Sequence, residues 1–357
     1  MTTYSYNRLH QFALNLFVKI GCSHNQATEA ANVLLSADLR GVDSHGVARL
    51  MGYLQLYEKK RINTKPQLSV IHETPSTALV DGDAGIGLIS GPYAMRLAIA
   101  KAKNVGTGWV AVKNSNHYGI AGYHAMMALK EDCIGISMTN ASPLVAPTFA
   151  KERLLGTNPI SIAIPAGEES PFVADMATTT AANGKLEILQ RKNESAPLGW
   201  LQDKEGRPTQ AAQGVVEGGA LLPLGGDREH GSHKGFILGS VVDILSGVLS
   251  GANYGPWVPP FVSFLNPDPN PVGKGIGHFF GALRIDAFRP EFEFKNNMDN
   301  WIQRFKNAKP INETNKVIIP GEPERKMEHM RRKKGIPLID DVVKDLQLLS
   351  EQYQVKF

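Results

Sequence analysis

The chain has 357 residues, 42% hydrophobic and 20% charged, with 35 glycines and 22 prolines, the make-up of a globular protein long enough for two domains. A net charge of only +4 argues against a global attraction to nucleic acid or an anionic membrane. Two cysteines in separate segments, Cys22 and Cys133, are too few for a disulfide scaffold and fit a reducing compartment. The opening Met1-Thr-Thr-Tyr-Ser-Tyr-Asn lacks a basic start and an apolar core, so no secretory signal is expected and a cytoplasmic location is.

In chain order, Tyr6–Ile20 carries Leu9, Phe12, Leu16 and Val18 at a noisy helical period. Ser23 is a candidate N-cap for a helix over Gln26–Arg40, closed by Gly41. A third helix is expected from about His45 to Lys60. The character then changes. Thr77–Asp81, Gly108–Val112, Ile134–Thr139, Ile160–Ile164 and Phe172–Asp175 read as strands, with helical patterns over Gly91–Lys103 and Ile120–Lys130. This alternation argues for an α/β layered core.

Residues 191–232 are glycine-rich and polar and read as a long surface connection. Phe236–Leu249 is the most apolar helical stretch. Asp243 interrupts it, Lys234 precedes it, and it is shorter than the roughly 20 residues of a membrane span; a buried or interface helix is expected. Residues 253–274 are rich in Pro and Gly but hold Trp257, Phe261 and Phe264, so an ordered loop is expected. Gly277–Ile285 reads as a strand. Met298–Asn307 and Ile339–Leu349 read as helices, with a basic loop between them. The expected division is a helical part at 1–75, joined by C-terminal helices at about 290–357, beside an α/β domain at 76–289.

Gly41-Val-Asp-Ser-His-Gly-Val-Ala-Arg-Leu50 is the most informative stretch. A helix starting at Ser44 would put His45 and Arg49 on one face, a turn apart. The arginine suits a carboxylate through two parallel hydrogen bonds. The histidine suits proton exchange at an adjacent carbonyl oxygen. The plain alternatives are a capping histidine and a surface ion pair.

Asn114-Ser-Asn-His-Tyr-Gly-Ile-Ala-Gly-Tyr-His124 lies between a strand and a helix, where α/β proteins place ligands. His117 and His124 could share a helix face, but no acidic residue or cysteine completes a metal site at a matching spacing; no metal is expected. Thr139-Asn-Ala-Ser-Pro, with Ser142, and Leu155-Gly-Thr-Asn-Pro, with Thr157, are turn-like segments able to hold a carboxamide, phosphate or carboxylate. Asp175-Met-Ala-Thr ends a strand. Gly231-Ser-His-Lys-Gly-Phe236 places Lys234 at a helix start, which is unfavourable without an anion. No Gly-x-Gly-x-x-Gly follows a strand: Gly82-Asp-Ala-Gly-Ile-Gly87 and Gly275-Ile-Gly-His-Phe-Phe-Gly281 have the wrong spacing, so the Rossmann fingerprint is missing. A P-loop is absent as well.

Together, Asp43-Ser-His-Gly-x-x-Arg, Asn116-His-Tyr-Gly-x-Ala-Gly, Gly156-Thr-Asn-Pro, Asp175-Met-Ala-Thr, His233-Lys-Gly and Pro320-Gly-Glu322 resemble, in order, the type-2 malate/L-lactate dehydrogenase family. That family also includes sulfolactate and ureidoglycolate dehydrogenases, diketogulonate reductase and a cyclic imino-acid reductase. The resemblance implies a non-Rossmann three-layer α/β fold, with a mixed sheet, flanking helices and an N-terminal helical part. It implies a homodimer with NAD, or NADP, near the interface, held by the 76–289 domain, and a small 2-hydroxy/2-oxo acid as substrate.

By the same resemblance His45 is the proton donor/acceptor, oriented by Ser44, while in some members the second histidine, His117, is assigned as the base. Arg49 and Thr157 would bind substrate. His117, Tyr118, Gly119, Ile120, Ala121, Ser142, Asp175, Met176, Ala177, Lys234, Pro320, Gly321 and Glu322 would line the cofactor. Lys185 stands where imino-acid reductases carry an acidic residue, which favours malate/oxaloacetate or L-lactate/pyruvate chemistry over imine reduction. The basic stretch Arg325–Lys334 is a solvated face or a contact to a cofactor ribose or 2′-phosphate; without interleaved aromatics it does not suit nucleic acid. A non-enzymatic scaffold would have no need of His45, Arg49, His117 and Lys234 together.

Overall fold

A computed structural model describes residues 2–312 and 315–357, the side chain of Arg191 excepted. Its centre is a seven-stranded mixed sheet. In spatial order the strands are Ser69–Glu73, Thr77–Asp81, Thr107–Ser115, Ile276–Arg284, Cys133–Thr139, Ile160–Ile164 and Phe172–Met176. Thr77–Asp81 and Thr107–Ser115 run parallel; every other neighbour in this sheet is antiparallel. Six of these strands coincide with the sequence expectation to within a few residues. The edge strand Ser69–Glu73 was not expected, because its side chains are mostly exposed and show little apolar alternation.

The layers approach closely because small residues face one another. A Cβ on Gly108 would meet the Ala98 carbonyl of helix Gly87–Val105 at 2.0 Å, and one on Gly135 would meet the Ala125 carbonyl of helix Ala121–Met127 at 2.0 Å. On the opposite face, Gly277 lies against the Ser246 carbonyl at 1.9 Å by the same measure. That carbonyl belongs to a π-helical turn, Ile244–Val248, continuing helix Ser232–Asp243. No described helix is long and apolar enough to cross a membrane.

The N-terminal helices are Tyr6–Lys19 and His24–Leu39. Ser5 caps the first, and Ser23 caps the second through a reciprocal pair of bonds with Gln26. Their apolar faces (Leu9, Phe12, Leu16, Val33 and Leu34) share one core with Val342, Leu346 and Leu349 of helix Asp340–Tyr353. Strand Ile336–Leu338 pairs with Thr2–Tyr4 and closes this unit.

Four expectations are corrected. The helix expected from His45 begins at Leu50; Asp43–His45 and Val47–Arg49 are two 3-10 turns broken at Gly46. Residues 191–232 are not a bare surface connection. They form a three-stranded sheet whose Leu201, Val215 and Leu221 are buried against Leu144, Val145 and Leu155. The basic stretch is a helix, Glu322–Lys334, with Pro at its first turn and acidic residues at its start. Helix Glu291–Lys306, expected beside the N-terminal helices, packs on the far sheet edge: Trp301 meets Phe172 edge-on, and Asp299 accepts from three backbone amides at 167–169.

The break at Gly46 has a cause. A Cβ there would lie 2.0 Å from Oδ1 of Asp38, which is 1% exposed. The Asp38 carboxyl accepts a hydrogen bond from the Val47 amide at 2.8 Å, while burial pushes its pKa up to about 8. Gly46→Ala should lower unfolding free energy by roughly 2–4 kcal/mol, since neither partner can give way. Urea denaturation checks this; an unchanged midpoint would show that the turn tolerates a side chain.

Candidate active site

The site forms where the helical part meets the sheet. Its first wall is the turn carrying Ser44, His45 and Arg49. Arg331, 5% exposed, donates to the Asp43 carboxylate with both guanidinium nitrogens and to the Asp38 carbonyl. Arg40 and Glu328 pair at 3.4 Å beside it. The basic helix is therefore partly a clamp on the histidine turn, not simply a solvated face.

The second wall is the loop after strand Thr107–Ser115. The Asn116 amide donates to the carbonyls of Ala84 and Gly85 at 3.0 and 3.1 Å, and Gly87 sits directly beneath the Asn116 carbonyl. This holds His117 against His45, with ring centroids 5.7 Å apart and planes 22° from parallel. Phe261, from the proline-rich loop, stacks on the outer face of His117 at 4.4 Å. Its amide is anchored on the Ser142 hydroxyl at 2.9 Å.

Both rings turn Nδ1 toward the protein. His45 Nδ1 lies 2.9 Å from the Ser44 hydroxyl. His117 Nδ1 lies 2.6 Å from the Tyr53 hydroxyl and accepts from the Gly119 amide at 3.4 Å. Burial raises the Tyr53 pKa, so it stays a phenol and can donate. The Gly119 N–H on Nδ1 makes that nitrogen the acceptor and so places the proton of neutral His117 on Nε2, which leaves the Tyr53 hydroxyl to donate. Burial, then the charge of Arg49, brings the His45 pKa down to about 4. His117 is lowered by burial first, then by His45, Arg49 and His278. Both rings remain partly accessible at their surface, so a ligand can reach them.

Arg49 donates through Nε to the Ser44 carbonyl and through Nη2 to Glu187 Oε2 at 3.3 Å. The sequence pattern missed Tyr53, Phe261, Glu187, Asp38 and Arg331. Tyr53 had a signal, lying four residues after Arg49 on one helical face. Phe261, Glu187 and Arg331 lie far away in sequence, and Asp38, though near, sits inside an ordinary helical pattern; none left a signal.

A neighbouring cradle joins three expected segments. The Gly122 amide donates to Asp175 Oδ2 at 2.8 Å. The Val173 amide donates to the Pro320 carbonyl at 3.0 Å, and Gly321 lies against Val173 and Arg325. Gly119 has φ +80, a backbone that favours glycine. Burial raises the Asp175 pKa to about 6. Thr157 lies nearby through its carbonyl, which accepts from the Thr178 amide at 2.9 Å. Lys234 stands apart, exposed at the first turn of helix Ser232–Asp243. His124 is fully buried with Nε2 2.9 Å from the Tyr118 carbonyl, turned into the core.

An apposed histidine pair beside an arginine, next to a largely antiparallel sheet of non-Rossmann order, offers the proton exchange and carboxylate grip that a 2-hydroxy-acid oxidoreductase needs. The chain belongs to the malate/L-lactate dehydrogenase family, a family of NAD(P)-dependent enzymes, whose sequence model matches residues 4–347. A malate dehydrogenase of Pyrococcus abyssi is 44% identical over 98% of this chain and 94% of its own. The solved malate dehydrogenase of Pyrococcus horikoshii superposes with a TM-score of 0.90 at 41% identity, covering 99% of this chain and 96% of that one. The sulfolactate dehydrogenase of Methanocaldococcus jannaschii superposes at 0.89 with 35% identity, covering 99% and 98%.

Proposed function

We propose that this enzyme interconverts malate and oxaloacetate with NAD as cofactor. The observation that carries the reading is the triangle of His45, His117 and Arg49, which provides a proton-exchanging imidazole, a neutral hydrogen-bond donor and a carboxylate clamp side by side, each partly accessible. The malate dehydrogenase relatives support the four-carbon substrate.

The residues present fit a nicotinamide dinucleotide. Tyr118–Ala121, Ser142, Asp175–Ala177 and Pro320–Glu322 would hold it, with Thr157 at the substrate end and Lys234, outside this cradle, as a cation reaching toward its phosphates. Glu324 Oε2 is buried without a hydrogen-bond partner among the described residues and acts electrostatically on Asp175. An unpaired buried acceptor at that point suits a hydroxyl donor such as a cofactor ribose. When bound, the nicotinamide supplies or takes the hydride at C2 of the acid.

The chain's own residues do the rest. Arg49 grips the C1 carboxylate. His117 Nε2–H hydrogen-bonds the C2 oxygen and polarises it while remaining neutral. His45 Nε2 gives that oxygen its proton in reduction and removes it in oxidation, with Ser44 holding Nδ1. The substrate carboxylate adds a negative charge beside Arg49, beyond that of Glu187 already there, and so raises the His45 pKa toward the range where it can carry a proton. Phe261 and Tyr53 shield the pair from bulk water.

The test is absorbance at 340 nm with NADH or NADPH against oxaloacetate, pyruvate, sulfopyruvate and a cyclic imine. Oxaloacetate with NADH should give the highest kcat/KM. Turnover of none of them would overturn the reading, and a preference for another acid would reassign the substrate.

We further propose a homodimer, in a cytoplasmic setting that keeps the buried thiols Cys22 and Cys133 reduced. Helix Ser232–Asp243 and its continuation expose Ile237, Val241, Ile244 and Val248, an apolar face that suits a second copy. Sedimentation at micromolar concentration should give twice the chain mass; a monomer would refute it.

A further inference from the structure

Arg49 does not wait free for a substrate. Its Nη2 is paired with Glu187 at 3.3 Å, and the other oxygen of Glu187 accepts from Asn183 at 2.9 Å. Both residues belong to helix Asn183–Lys192. That helix is pressed onto the histidine turn at Gly184, where a Cβ would meet Ser44 Cβ at 2.5 Å and Arg49 Nη2 at 3.2 Å. Leu186, 1% exposed, anchors it in the small core formed with Leu201 and Val215. The contact is thus built by the packing of the helix, not by two mobile side chains meeting at a surface.

We propose that Glu187 is a positioning residue that occupies Arg49 as a stand-in carboxylate and is displaced when the substrate carboxylate binds. This rests on the assignment of Arg49 as the carboxylate clamp. The exchange replaces one carboxylate by another, so the guanidinium is never left unpaired beside the two neutral histidines. The incoming group must win that exchange. The side chains of Arg49 and Glu187 are 20% and 35% exposed, so their pair is weak. Pairs of this kind shift an equilibrium by roughly 2–5-fold. A substrate carboxylate held by two parallel bonds exceeds that, whereas a small inorganic anion with one contact does not. Glu187 therefore acts as a filter, lowering affinity for every anion and leaving net binding to those with a well-placed carboxylate.

The test uses the holoenzyme with NADH, taking oxalate as a non-reacting probe and oxaloacetate as substrate. Glu187→Gln keeps the size and the Asn183 contact but removes the charge. It should tighten oxalate binding and lower KM for oxaloacetate by about 2–5-fold, with a smaller change in kcat. Inhibition by chloride should strengthen as well. In an Arg49→Gln background the same substitution should change nothing. If Glu187→Gln leaves oxalate affinity and KM unchanged, or weakens them, while Arg49→Gln weakens both, the filter is wrong and the clamp stands. If Arg49→Gln leaves oxalate affinity unchanged, the clamp is wrong and the filter falls with it.

Discussion

Replacing His45 with alanine is expected to lower kcat for oxaloacetate reduction by about 10²–10⁴-fold, while NADH still binds, because the cradle at Asp175 and Gly122 does not depend on that ring. His117→Gln should cost much less, about 10-fold, since an amide N–H can still donate to the C2 oxygen even though it cannot titrate. The two variants also separate in their pH dependence. In the free enzyme the His45 pKa is brought down to about 4, first by burial and then by Arg49. A bound carboxylate adds a negative charge beside Arg49 on top of that of the displaced Glu187, so the bound form has the higher pKa. Binding then takes up protons, and oxalate affinity should rise as pH falls from neutrality toward 4. His117→Gln should keep this pH dependence and His45→Ala should lose it. A variant pair with the reverse pattern would assign the moving proton to His117.

The second large effect is expected at Arg49. Arg49→Lys should raise KM for oxaloacetate by roughly 10–100-fold and leave kcat within a few-fold. An ammonium is a point charge without the planar fork that grips two carboxylate oxygens. It would also lose the Nε bond to the Ser44 carbonyl that aligns the clamp with the histidine turn. Steady-state kinetics across oxaloacetate concentration read the split directly. An unchanged KM would mean that the carboxylate is held elsewhere.

Much of the fold was legible because its signals are local. Strands Thr77–Asp81 and Ile160–Ile164 match their expected bounds, since β-branched and small residues cluster there between turn residues. The histidine motifs were legible because their residue types are unusual together. The continuous helix from His45 was misjudged because the break depends on a packing contact rather than on residue pattern: the Asp38 carboxyl fills the space beside Gly46 and accepts from the Val47 amide. The basic run Arg325–Lys334 looked solvated because a charged helix and a charged loop have similar composition. The residues at 191–232 looked unstructured because a satellite core needs few apolar residues, here Leu201, Val215 and Leu221.

Sequence by itself determined the chemistry on offer: a histidine with an arginine four residues on, a second histidine at a strand end, and no glycine fingerprint. Residue type and short spacing set those, and neither depends on the rest of the chain. Tertiary structure alone decided how they act. Strand Ile276–Arg284 inserts between two strands more than a hundred residues earlier, and Phe261 and Ser142 meet across 119 positions. Tyr53, 64 residues from His117, holds Nδ1 of that ring through its hydroxyl. Glu187, 138 residues from Arg49, occupies the clamp before a substrate does. Such pairings arise from burial and packing between distant segments, and no local period of the sequence encodes them.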